Sequence, residues 1–175
     1  MTKEPDRILL IGMMGAGKTT VARELARRTG WAVVDNDDLV RRLTGREPAA
    51  IAVEDGADAL HYTEAAGLDE ALDMPAPLIV GVAGAMVERP DVRKRLRGAG
   101  HVVWLRAQPE TLRARIGTGS GRRSDAVDAA WLAARAAERE PLYREVADQV
   151  IDVDDAAPAQ VAAQILEGLE RRSAG

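Results

Sequence analysis

Gly12-Met13-Met14-Gly15-Ala16-Gly17-Lys18-Thr19 fills every fixed position of the phosphate-binding pattern G-x-x-x-x-G-K-[ST]. Glycines let the chain turn so that successive N–H groups point inward, and a following helix start adds the positive end of its dipole. The predicted cradle comprises Gly12, Gly15, Ala16, Gly17, Lys18, Thr19 and Thr20. In it the Lys18 ammonium reaches the β- and γ-phosphates of a nucleoside triphosphate. The Thr19 hydroxyl ligates a magnesium ion that bridges those phosphates. A second segment, Gly117-Thr118-Gly119-Ser120-Gly121-Arg122-Arg123-Ser124-Asp125, is glycine-rich and basic and lacks apolar anchors. Beside a phosphate loop, such a stretch reads as a lid that brings arginine onto the triphosphate.

The loop works only between a strand that ends at it and a helix that starts from it. Arg7-Ile8-Leu9-Leu10-Ile11 reads as the strand, and Val21, Ala22, Leu25 and Ala26 recur at helical spacing behind the loop. Strand and helix patterns then alternate. Further strands are predicted at Trp31–Val34, Leu78–Val82, Val102–Leu105 and Gln149–Val153, with the second running into Asp35-Asn36-Asp37-Asp38. Helical stretches are predicted around Leu39 to Leu43, from Pro48 to Val53, from Ala57 to Leu72, around Val92 and Leu96, and from Pro158 onward. Five buried strands alternating with helices predict an α/β fold with a parallel sheet. Neither a long linker nor an internal repeat divides the chain, so residues 1–175 read as one domain.

Composition narrows the function classes. The chain has 175 residues, 46% hydrophobic and 30% charged, with no Phe, so aliphatic side chains must fill the interior. A net charge of −4 argues against a nucleic-acid partner held by bulk electrostatics. No apolar run is long enough to span a bilayer, and none near the N-terminus has the form of a signal-peptide core. Zero Cys excludes disulfides and thiolate metal sites and fits a cytoplasmic location.

In order, these landmarks resemble a shikimate kinase, a small P-loop enzyme of the nucleoside-monophosphate-kinase structural group. The resemblance runs from the phosphate loop through Asp35-x-Asp37, Gly45-Arg46, Glu54-x-Gly56 and Leu60-x-x-x-Glu64. It continues through Val103-Trp104-Leu105, Arg115 and Arg122 to Arg139-Glu140-Pro141-Leu142-Tyr143. It implies a three-layer fold with five parallel strands in the order 2-3-1-4-5, a lid near residues 115–125 and an acceptor-binding helical region near 37–65. It also implies ATP as donor and a monomer acting on a small molecule. Residue by residue, Lys18, Asp37 and Arg122 would be catalytic: Asp37 holds the acceptor hydroxyls and helps orient or deprotonate the attacking oxygen, and Arg122 neutralises charge in the transition state. Asp35 would join Thr19 at magnesium, Arg115 would stack on the adenine, and Pro158 would lie in the loop over the base. The acceptor would contact Asp37, His61, Gly84 and Arg139, with Arg139 on its carboxylate.

The departures fall on the acceptor side. His61 stands where the family carries a second carboxylate-binding arginine, and a mostly neutral imidazole offers one donor where a guanidinium offers a charged fork. That exchange is expected to cost about 1.5–3 kcal/mol of charged hydrogen bonding. Val82-Ala83-Gly84 replaces a triple glycine, so β-carbons at two positions are expected to narrow the pocket or forbid positive-φ backbone. Leu60 replaces a Phe, and Arg123 replaces a Pro in the lid. The expected activity is transfer of the ATP γ-phosphoryl group to shikimate or a related hydroxylated acid or polyol. The alternatives are a kinase for a gluconate-type sugar acid or a cyclitol, and an ATP-binding protein without catalysis.

Overall fold

A computed structural model describes residues 6–116 and 128–175. Five strands, β1 (Arg7–Ile11), β2 (Ala32–Asp35), β3 (Leu78–Gly81), β4 (His101–Arg106) and β5 (Gln149–Asp152), form one parallel sheet in the order β2-β3-β1-β4-β5. The expected order is therefore the observed one. Around the sheet lie α1 (Lys18–Thr29), α2 (Asn36–Thr44), α3 (Pro48–Glu54), α4 (Ala57–Asp73), α5 (Pro90–Leu96), α6 (Pro109–Ile116), α7 (Ala129–Val146) and α8 (Pro158–Ala174). A short 3₁₀ turn, Gly84–Glu88, follows β3.

Consecutive strand residues point to opposite faces. Ile8, Leu9, Leu10 and Ile11 are buried without a break, as are Leu78 to Gly81, so both faces of the sheet centre are covered. At the edges the pattern opens: Val33 in β2 and Val150 in β5 are partly exposed. Register places Leu9 between Val80 and Val102, which brings the C-terminal ends of the central strands level. The phosphate loop, the Asp35–Asp37 turn and the Ala83–Gly84 turn leave those ends, and in open α/β sheets ligands bind there.

Two predicted strands end one residue early. Val82 and Val153 lie past the last ladder residues, although their N–H groups still donate to Leu10 and Arg106 carbonyls at 3.0 and 2.9 Å. Helices α6 and α7 and the 3₁₀ turn had no prediction. Helix α7 hides its nature because its buried positions, Leu132, Arg139, Tyr143 and Val146, include a guanidinium, and Pro141 lies inside it. Among the described residues, no helix is long and apolar enough to cross a membrane. Arg122 and Arg123 lie outside the described residues, as does the predicted lid except for its first two positions.

Candidate active site

The phosphate loop takes the shape its glycines allow. Gly12, Gly15 and Gly17 have φ of 144°, 88° and 94°, a region that side-chain-bearing residues rarely adopt. The Ala16 N–H closes the turn onto the Met13 carbonyl at 3.1 Å. Lys18 begins α1, and its Nζ donates to the carbonyls of Gly12 and Met13 at 2.7 and 3.0 Å, which holds the ammonium over the loop. Thr20, next along α1, is exposed.

Asp35 has two jobs at the end of β2. Its Oδ2 accepts from Thr19 Oγ1 at 3.1 Å, and its Oδ1 caps α2 by accepting from the Asp37 N–H at 2.9 Å. Gly81 makes room for this carboxylate, since a β-carbon there would lie 3.2 Å from Oδ2. A hydroxyl and a carboxylate, both hard oxygen donors, suit magnesium, which takes few protein ligands and completes its shell with phosphate and water. Asp37 and Asp38 follow in the first turn of α2.

On the other flank, Arg115 from α6 bridges two loops. Its Nη1 donates to the Ala16 carbonyl at 3.3 Å and its Nη2 to the Val153 carbonyl at 2.7 Å. Pro158 opens α8 after Ala157, whose N–H is capped by Gln160 Oε1 at 2.9 Å. The two residues expected at the adenine thus sit on segments joined at the Val153 end of β5.

The side on which the acceptor is expected is built from α4, the 3₁₀ turn and α7. His61 is half-buried on α4, one turn before the buried Glu64. Burial, and then the Asp37 charge, push the Glu64 carboxyl up to about 7, while Arg139 and Lys18 pull the other way. Those influences bring Lys18, Asp37, Glu64 and Arg139 into one electrostatic neighbourhood, although they come from α1, α2, α4 and α7. Arg139 is 9% exposed. Its Nη2 pairs with Glu88 at 3.2 Å and its Nη1 faces the Met13 sulfur at 3.5 Å. Below it Tyr143, stacked on Trp104, donates to the Gly84 carbonyl at 2.8 Å. Burial raises the Tyr143 phenol well above its ordinary range, so it remains a donor.

One arm of an expectation, that Val82 and Ala83 stand where positive-φ backbone is required, is overturned. Ala83 has φ −60° and ψ 138°, an ordinary extended backbone, and Val82 is 1% exposed within the hydrophobic core. Neither β-carbon requires strain. The close approach occurs at Gly84, where a β-carbon would lie 3.1 Å from the Gly12 carbonyl and 3.5 Å from Arg139 Nη1. Sequence reasoning also gave no role to Asn36 or Glu88. Asn36 is buried; its amide donates to the Glu64 carbonyl at 3.1 Å and accepts from the Ala83 N–H at 3.2 Å. Nothing in the Asp-rich run around Asn36 marks it as a core residue.

Glu64 yields a pH prediction. Its carboxyl holds its proton more tightly in the folded chain, about 7 against an ordinary 4.5, so the folded state binds more protons across that interval. Stability must then fall as pH rises from about 4.5 to about 7 and level off above. Glu64→Gln removes that slope. In paired melts its stability advantage over wild type should widen by about 2 kcal/mol between pH 5 and pH 8. A gap that stays constant with pH would contradict the assignment.

A family model described as "Shikimate kinase" matches residues 14–170. The shikimate kinase of Symbiobacterium thermophilum is 39% identical over 170 residues, covering 94% of this chain and 97% of that protein. The structure of shikimate kinase from Acinetobacter baumannii in complex with shikimate superposes with a TM-score of 0.89. It is 30% identical and covers 96% of this chain and 94% of that one. A gluconokinase from Sinorhizobium meliloti superposes with a TM-score of 0.66 at 19% identity, covering 98% and 95%, and shares the fold.

Proposed function

The chain belongs to the shikimate kinase family, and we infer that it moves the γ-phosphoryl group of ATP onto a hydroxyl of shikimate. The observation that carries this reading is the convergence of Lys18, Asp37, Glu64 and Arg139 at the carboxyl ends of the central strands, beside an intact phosphate loop. The loop N–H groups of Gly15 to Thr20 receive the triphosphate, and Lys18 exchanges the Gly12 and Met13 carbonyls for β- and γ-phosphate oxygens. Arg139 takes the acceptor carboxylate, with Gly84 and His61 beside it, and so aims one hydroxyl at Asp37. As that oxygen bonds to the γ-phosphorus, the bond to the β,γ-bridging oxygen breaks, ADP leaves, and the hydroxyl proton passes to Asp37. Thr19 and Asp35 are the residues that would hold magnesium, which when bound neutralises charge on the β- and γ-oxygens.

Arg115 and Pro158 flank the adenine, and Arg122 supplies positive charge to the transition state from the lid. The whole chain acts as one kinase domain, with residues 37–65 forming the acceptor-binding region. We take it to act as a cytoplasmic monomer on a small molecule: the net charge of −4 argues against a nucleic-acid partner, the composition fits the cytoplasm, and the family resemblance suggests the monomer.

His61 supports a second reading, in which the chemistry is the same and the preferred acceptor is another hydroxylated acid or polyol. ADP release, measured with shikimate, gluconate and a cyclitol on wild type and His61→Arg, decides between them. Shikimate should stimulate release in wild type, and the arginine should lower its KM about tenfold, the worth of one charged hydrogen bond. A better response to another acceptor would favour the second reading. If no acceptor stimulated release, the kinase assignment would fall.

A further inference from the structure

Arg139 already has a carboxylate. Glu88 Oε2 lies 3.2 Å from Nη2, and it is the one carboxylate paired with this guanidinium among the described residues; elsewhere the cation meets the neutral Tyr143 hydroxyl and weaker partners. Nη1 faces the Met13 thioether at 3.5 Å and the backbone of Gly84, and Nε is buried with no hydrogen-bond partner among the described residues. A guanidinium binds a carboxylate best through two parallel N–H groups. A second carboxylate brought to this mostly buried cation would stand beside the first and be repelled by it.

Glu88 also has somewhere to go. It ends the 3₁₀ turn, whose Met86 and Val87 are buried at 0% and 1%, so the backbone is anchored while the side chain remains about one-third exposed. Its Oε1 lies 3.9 Å from Nη1 of Arg135. Arg135 and Arg139 are four residues apart on α7 and so share a helix face. Arg139 is buried at the site, whereas Arg135 is exposed to water.

We propose that Glu88 is a specificity-determining residue that competes with the acceptor's carboxylate for Arg139 and moves to Arg135 when the acceptor binds. This rests on the assignment of Arg139 to the acceptor carboxylate. Affinity for acidic acceptors is then set by an exchange of carboxylates, and acceptors without a carboxylate gain nothing from it.

The test is binding and turnover of shikimate and its methyl ester by wild type, Glu88→Gln, Glu140→Gln and Arg139→Leu. Glu140 is exposed on the same helix, pairs with Arg144 at 3.1 Å and serves as a control for bulk charge. Glu88→Gln should lower the Kd and KM for shikimate roughly three- to fivefold, the range for a partly exposed ion pair. It should leave kcat, the KM for ATP and the affinity for the methyl ester unchanged. Weaker shikimate binding in Glu88→Gln would show that Glu88 props Arg139 in place, and would overturn the proposal. No change, or an equal gain in Glu140→Gln, would also overturn it. Failure of the underlying reading looks different: Arg139→Leu would then keep the wild-type preference for shikimate over its methyl ester.

Discussion

Asp37→Asn is expected to lower kcat roughly 10²–10⁴-fold, the usual contribution of a positioned general base, while ATP affinity changes by less than about twofold. The local structure makes this a clean substitution. The side chain that caps α2 is that of Asp35, and it accepts from the backbone N–H at position 37, which asparagine retains. The Thr19–Asp35 contact at the proposed magnesium position does not involve residue 37. Asparagine keeps the shape and removes the charge and the basic oxygen. Loss of the charge also removes one of the two influences that raise the Glu64 carboxyl, so the pH slope of stability should flatten in the same variant. Single-turnover ADP formation beside an ATP titration separates the outcomes. Undiminished turnover would remove Asp37 from the chemistry. Equal loss of turnover and ATP binding would make its role structural, and ATP binding without turnover in wild type and variant alike would favour a nucleotide-binding module.

The second large effect is on folding. Gly12→Ala is expected to cost about 3 kcal/mol or more, read as a shift in urea midpoint at unchanged slope. Two penalties act together. The backbone at Gly12 has φ 144°, and a β-carbon there would lie 2.6 Å from the Leu105 carbonyl oxygen. That oxygen belongs to β4, the strand paired with β1, so it cannot swing aside as a flexible side chain would. Relief would require parting the sheet at its centre. Gly30→Ala separates the penalties: φ is 73°, and nothing lies within 4 Å of the added carbon. Its cost should be only the left-handed backbone term, about 1–2 kcal/mol. Similar costs in the two variants would mean that the carbonyl contact carries little energy.

Legibility followed the range of the forces involved. The phosphate loop and the five strands were readable because glycine spacing and unbroken apolar runs are local signals of a buried parallel strand, whereas the strand order came from the family resemblance alone. Asp35 was open to two readings, helix cap or magnesium partner; Oδ1 makes the cap while Oδ2 accepts from Thr19, so the first reading does not exclude the second. Arg139 showed the limit of pattern. An arginine on a helix is most often solvated, and the alanine-rich α7 has too weak an apolar stripe to reveal that this one faces inward. Glu88 and Asn36 were invisible because their partners lie 51 and, for Ala83, 47 residues away. The expected backbone conflict at Val82 and Ala83 failed because it assumed that a residue standing where glycine is usual must carry glycine's backbone, and Ala83 does not.

Asn36 has a thermodynamic consequence. One amide ties α2 to α4 through the Glu64 carbonyl and ties both to the turn after β3, and Gly67 lets α4 come close to Leu39. The wall that carries His61 and Glu64 is therefore bolted to the sheet before any acceptor arrives. Its conformational entropy is surrendered during folding rather than during catalysis. Loosening Asn36 would return that loss to the binding step, and acceptor affinity would weaken without a single acceptor contact being removed.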